Sequence, residues 1–168
     1  MAPNSSSTSP LSTMTPHLRG SLAPLPKATK GEKSLLQRAD EGDVEALNEM
    51  GLRLERGEGA PVNLALAAKY FSDAAAKGHA DGCYNYGVAL FKGRGVCKDA
   101  EGALKWFIEA EKQGHAFATF MVAQFVEAGV GCEQDTLKAA SLYKRAQALG
   151  VEDAAGKLEQ CYASAAAK

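Results

Sequence analysis

The chain has 168 residues, four cysteines, and 19 Lys and Arg against 20 Asp and Glu. Its length suits one domain. The balanced charge excludes a nucleic-acid footprint, and no window holds the roughly 20 apolar residues that a membrane span needs.

Residues 1–31 carry Arg19, Lys27 and Lys30 and no acid, so the remaining chain holds 16 basic and 20 acidic residues. The same segment holds five of the six prolines and ten Ser or Thr. It has too little apolar surface to offset its ordering entropy and reads as a disordered tail. A Ser-rich, basic, acid-free segment also fits a mitochondrial or plastid targeting peptide, although its prolines forbid a long amphipathic helix. It lacks the apolar stretch of a secretion signal.

From residue 32 on, a 36-residue period governs the sequence. Gly42, Gly78, Gly114 and Gly150 keep the step, as do Gly57, Gly93 and Gly129, then Phe71, Phe107 and Tyr143. The expected array is a half-unit at 32–42, three units at 43–78, 79–114 and 115–150, and a half-unit at 151–166. Each unit reads as a helix A over 44–56, 80–92 or 116–128, followed by a helix B. Ala46, Met50 and Leu54 begin the core stripe at i, i+4, i+8, and Ala154, Leu158 and Tyr162 end it. Gly57, Gly93 and Gly129 stop helix A in the left-handed conformation. Asn63, Asp99 and Asp135 cap helix B. Gly51 and Gly87 sit inside helix A at a cost of about 1 kcal/mol. That cost, repeated in phase, points to close approach of helix B, with Ala123 keeping a small residue in the third unit. Stacking lets the hairpins bury faces that a single one cannot, which gives an all-α solenoid.

These motifs resemble the Sel1-like repeat family, a relative of tetratricopeptide arrays. The second unit carries it best: His79-Ala80-Asp81-Gly82-Cys83-Tyr84-Asn85-Tyr86-Gly87, then Gly93-Arg94-Gly95-Val96, Asp99 and Lys105-Trp106-Phe107. The resemblance implies a right-handed α-solenoid acting as a protein-binding adaptor or scaffold, without catalysis, cofactor or metal. The alternatives are a permanent small subunit or assembly factor of a larger complex and, third, a hydrolase or small-molecule binder. Secreted cysteine-rich members bridge helix B to the next helix A. Cys83 holds the second position of such a pair, but Ala75 and Ala76 stand where its partner would be. That argues for a reducing compartment, the cytoplasm first.

The Gly-x-Gly turns follow helices rather than strands, so they are turns and not phosphate loops. His79 and His115, in phase, read as helix-junction residues rather than metal ligands, and no C-x-x-C pair suggests zinc. Cys97 and Cys132 lie in adjacent turns and are expected as thiols. Function therefore falls to partner binding. The A helices of such solenoids line the concave face. At roughly 8–10 Å per helix gap, four of them would hold on the order of eight or nine extended residues, or one helix. The candidate contacts off the core stripe are Arg53, Tyr84, Asn85, Val88, Phe91, Phe120, Gln124 and Phe125. Phe91 stands out as an aromatic where small or polar residues are usual. The partner is expected to be a protein, with no nucleic acid and no membrane span.

Overall fold

A computed structural model describes residues 34–166. The tail over 1–31, with its expected disorder or targeting role, lies outside the described residues. Eight helices and no strands occur among those described: α1 (Leu35–Asp40), α2 (Val44–Arg56), α3 (Leu64–Ala76), α4 (Ala80–Lys92), α5 (Ala100–Lys112), α6 (Ala116–Ala128), α7 (Thr136–Ala148) and α8 (Asp153–Ala166). Each helix packs on its successor in the chain, which makes a solenoid of hairpins. The A helices are α2, α4, α6 and α8, and the B helices are α3, α5 and α7.

The helices begin and end where the sequence supplies chemistry for it. Asn63, Asp99 and Asp135 each accept a backbone N–H of the first turn of a B helix at 2.9–3.0 Å. Their oxygens satisfy donors that no intrahelical carbonyl can reach. Gly57, Gly93 and Gly129 end the long A helices with φ of 76°, 69° and 68°. The short α1 carries a reciprocal capping box between Ser34 and Gln37.

Two small-residue contacts set the hairpin spacing. Within a unit, a Cβ added at Gly51 would lie 2.5 Å from the Phe71 ring, and one at Gly87 2.7 Å from the Phe107 ring. The rings occupy the volume that the missing side chains leave, and this is the reason the in-phase glycines implied. Between units, Ala74 meets Gly82 so closely that a Cβ at Gly82 would sit 2.7 Å from the Ala74 Cβ. The equivalent Ala110, Ala118, Ala146 and Ala154 are all fully buried.

The last helix departs from the expected stripe. Ala154 is buried and Leu158 half-buried, but Tyr162 is 55% exposed and Cys161 is buried instead. In earlier units this stripe packs into a following helix B. No B helix follows α8 among the described residues, so Tyr162 has nothing to bury against. Glu159, exposed, takes the place of Gly51, Gly87 and Ala123. A ring docked there in the regular way would bury a carboxylate.

Candidate partner-binding groove

Because the helix A bounds repeat without a slip, side chains 36 residues apart form rows running across α2, α4 and α6. One row is Glu45, Asp81 and Phe117. A second is Asn48, Tyr84 and Phe120, a third Glu49, Asn85 and Met121, and a fourth Leu52, Val88 and Gln124. The first three rows change from acidic and amide side chains in α2 to aromatic and thioether side chains in α6, while the fourth ends on the amide of Gln124.

At the N-terminal end of these rows lies a pocket of about 320 Å³, lined by Leu35, Arg38, Glu45, Asn48, Glu49, His79 and Asp81 among others. Arg38 pairs with Asp43 at 2.6 Å, and Arg53 with Glu49 at 2.7 Å. Asn85 donates a 2.8 Å hydrogen bond to Asn48, tying α4 to α2 across the units. Asn48 is itself buried.

Further along, the Tyr84 ring stacks on His115 with centroids 4.6 Å apart, and it reaches Phe107 at 5.9 Å and Phe117 at 6.3 Å. Rings at these separations attract beyond their shared burial. Desolvation of Tyr84 pushes its hydroxyl pKa up. His79 and His115 are N-caps: their Nδ1 atoms accept from Gly82 N–H at 3.1 Å and Ala118 N–H at 3.0 Å. An accepting Nδ1 carries no proton, so the proton of a neutral His115 is on Nε2, 3.4 Å from the Asp81 carboxylate. Burial holds the His115 pKa below its ordinary value, against the pull of Asp81 and a backbone hydrogen bond. Both histidines therefore stay with the helix-junction reading.

The expected contact residues divide in two. Arg53, Tyr84, Asn85, Val88, Phe91, Phe120 and Gln124 are half-buried, with part of each side chain open. Phe125 is corrected: at 3% exposure it belongs to the core. Its position faces the seam between A helices, filled by Arg53 in α2 and Ala89 in α4, and an apolar ring there turns inward against Phe107 at 5.7 Å. Phe91 covers the same seam. Its ring packs on Phe125 at 5.2 Å, with the Lys98 ammonium 5.9 Å from its centroid. Phe120 leans on Tyr143 at 5.5 Å. Phe117, absent from the expected set, is 57% exposed on the outermost row. The signal was present in the sequence, since Glu45, Asp81 and Asp153 hold acids in the same phase where Phe117 is aromatic.

Three consecutive segments, residues 44–79, 80–115 and 116–151, match the Sel1 repeat family. Among solved structures, the chain is similar to a Sel1 repeat protein from Oxalobacter formigenes, with a TM-score of 0.70 and 27% identity over 74% of this chain and 51% of that one. It is similar to c5321, a protective antigen present in uropathogenic Escherichia coli strains displaying an SLR fold (TM-score 0.73, 27% identity, 76% of this chain and 27% of that one). A third is Helicobacter pylori cysteine rich protein B (TM-score 0.58, 25% identity, 77% of this chain and 98% of that one). The chain thus spans about half the length of the first structure and about a quarter of the second. No curated protein matches it.

Proposed function

Because the chain belongs to the Sel1 repeat family, whose repeats generally mediate protein–protein interactions, we propose that it is a non-catalytic adaptor. It binds an extended segment or a helix of a partner along the rows of helix A. The observation that carries this reading is the Asn48–Asn85 link beside half-open Tyr84, Val88, Phe120 and Gln124. The half-open residues lie on two successive A helices, with Asn48 of a third anchoring Asn85 from below, and they offer both amide and ring chemistry. Amide side chains beside rings suit a peptide, which presents backbone N–H and C=O groups along its length and side chains in between. Cys83, Cys97 and Cys132 carry free thiols, which supports a reducing compartment for the adaptor.

The test is quantitative affinity purification from the native cell with the wild type, with Asn85→Ala and Gln124→Ala, and with Leu137→Ser as a control away from the rows. Leu137 is 71% exposed at the start of α7. Both row variants should reduce at least one shared partner by about tenfold while the control retains it. Equal recovery by all four proteins, each shown folded by circular dichroism, would sink the reading.

A further inference from the structure

The Glu45, Asp81 and Phe117 row, at the outer margin of the groove, has a chemistry of its own. Phe117 exposes more than half its surface although α6 offers a buried face a few residues away. A ring this exposed leaves much of its apolar surface in water, and the positions in phase with it hold acids. Two rings lie beside it, and a carboxylate lies against the second of them. Tyr84 lies 6.3 Å away and His115 6.5 Å away between centroids, and Asp81 sits 3.4 Å from His115 Nε2 with 62% of its side chain exposed.

Three rings and an open carboxylate attract a cation. Ring faces are negative and hold a cation best within about 6 Å of the centroid, and Asp81 adds a full charge beside them. The chain uses this contact internally, since Lys98 lies over Phe91. Phe117 has no such cation among the described residues. His115 does not repel one, because its capping Nδ1 and its burial both keep it neutral. Between the two common cations, geometry favours arginine. A planar guanidinium can lie flat on Phe117 while its N–H edge serves a carboxylate oxygen, whereas an ammonium is a strongly hydrated point charge.

We propose that Phe117, Tyr84 and Asp81 form a subsite for an arginine side chain of the bound partner segment. This rests on the adaptor reading and names one residue that the partner must carry. Glu45 continues the acidic row on α2 at the margin of the neighbouring pocket, where Glu49 is already paired with Arg53.

The experiment uses the full chain, immobilised, and pools of nine-residue peptides that are random except for a central Arg, Lys, Gln or Glu. Captured peptide is quantified for the wild type, Phe117→Ala and Asp81→Asn. Phe117 is exposed and Asp81 keeps its shape as Asn, so both variants should fold, which their thermal melting checks. The wild type should retain the Arg pool about fivefold over the Gln pool and above the Lys pool. Either substitution should remove that preference, read as the ratio of Arg-pool to Gln-pool capture by the same protein. Capture without preference for Arg overturns the subsite and leaves the groove standing. Equal Arg and Lys enrichment that survives Phe117→Ala also overturns it, because charge would then act without the ring. No capture from any pool overturns the groove and the subsite together.

Discussion

Alanine in place of glycine should stabilise this chain at one position and damage it at another. Gly95 has φ +74°, and a Cβ there would run into the Leu64 carbonyl of the preceding unit. That oxygen is backbone and cannot step aside, so Gly95→Ala should cost more than about 2 kcal/mol through strain and overpacking. Gly156 sits inside α8 with nothing within 4 Å of an added Cβ. There alanine saves backbone entropy, and stability should rise by about 0.5–1 kcal/mol. Midpoints of urea unfolding for the two variants check the opposite signs. Two tyrosines form a second contrast. The Tyr143 hydroxyl donates to Glu127 at 2.6 Å, while the buried Tyr70 hydroxyl has no hydrogen-bond partner among the described residues. Removing a made bond costs about 1 kcal/mol, whereas removing an orphaned polar atom costs nothing or helps. Tyr143→Phe should therefore lower the unfolding free energy, and Tyr70→Phe should leave it equal or higher, in the same denaturation assay. His115 gives a pH dependence. Its folded pKa lies below the unfolded value, so the unfolded chain binds the proton more readily and stability rises with pH. The stabilisation is present above the unfolded value of about 6.5, falls as pH drops through it, and levels off below the folded value. His115→Asn keeps a capping oxygen that does not titrate, and that variant's stability should vary less between pH 7.5 and 5 than the wild type's.

Among the helices, boundaries were legible in the sequence because single residues fix them. A left-handed glycine can stop a helix by itself, and an Asn or Asp can start one by itself. Replacing the Asp99 cap by alanine should cost about 1 kcal/mol, read from the shift in the guanidinium midpoint. Facing directions were less legible. The 36-residue phase assigns each side chain a place on its helix, but not whether the neighbouring unit offers that place a core or a solvent boundary. Phe125 was expected on the surface and is buried, because Phe91 and Phe107 are rings that receive it. Tyr162 was expected in the core and is exposed, because among the described residues no B helix stands where Phe107 or Tyr143 would stand for an earlier unit. Phe117 differs from its own phase rather than from the core stripe: Glu45, Asp81 and Asp153 hold acids at the equivalent positions.

Across the whole array, stability adds up from units and from the contacts that couple neighbours. At the equivalent positions 55, 91 and 127 the contacts between units are of two kinds. Glu55 pairs with Arg94 at 2.7 Å, Phe91 packs on Phe125 at 5.2 Å, and Glu127 pairs with Lys157 at 3.8 Å. Two of these are partly exposed ion pairs, worth little. Phe91 makes the apolar one, midway along the chain. Phe91→Ala should therefore weaken the coupling of the last two A helices to the rest more than it weakens any single hairpin. Guanidinium unfolding followed by Trp106 fluorescence and by far-ultraviolet circular dichroism should coincide for the wild type and separate for the variant.

The six helices of the three full units are all 13 residues long, and the connections between them repeat without a gain or loss. The array is thus a ruler with one graduation. A second copy of residues 80–115 inserted after His115 would meet, at both of its ends, the junction chemistry already present there. Such a lengthened protein should fold, and its groove should gain one helix spacing, room for about three more extended residues. The length of recognition would then be a quantity set by counting copies.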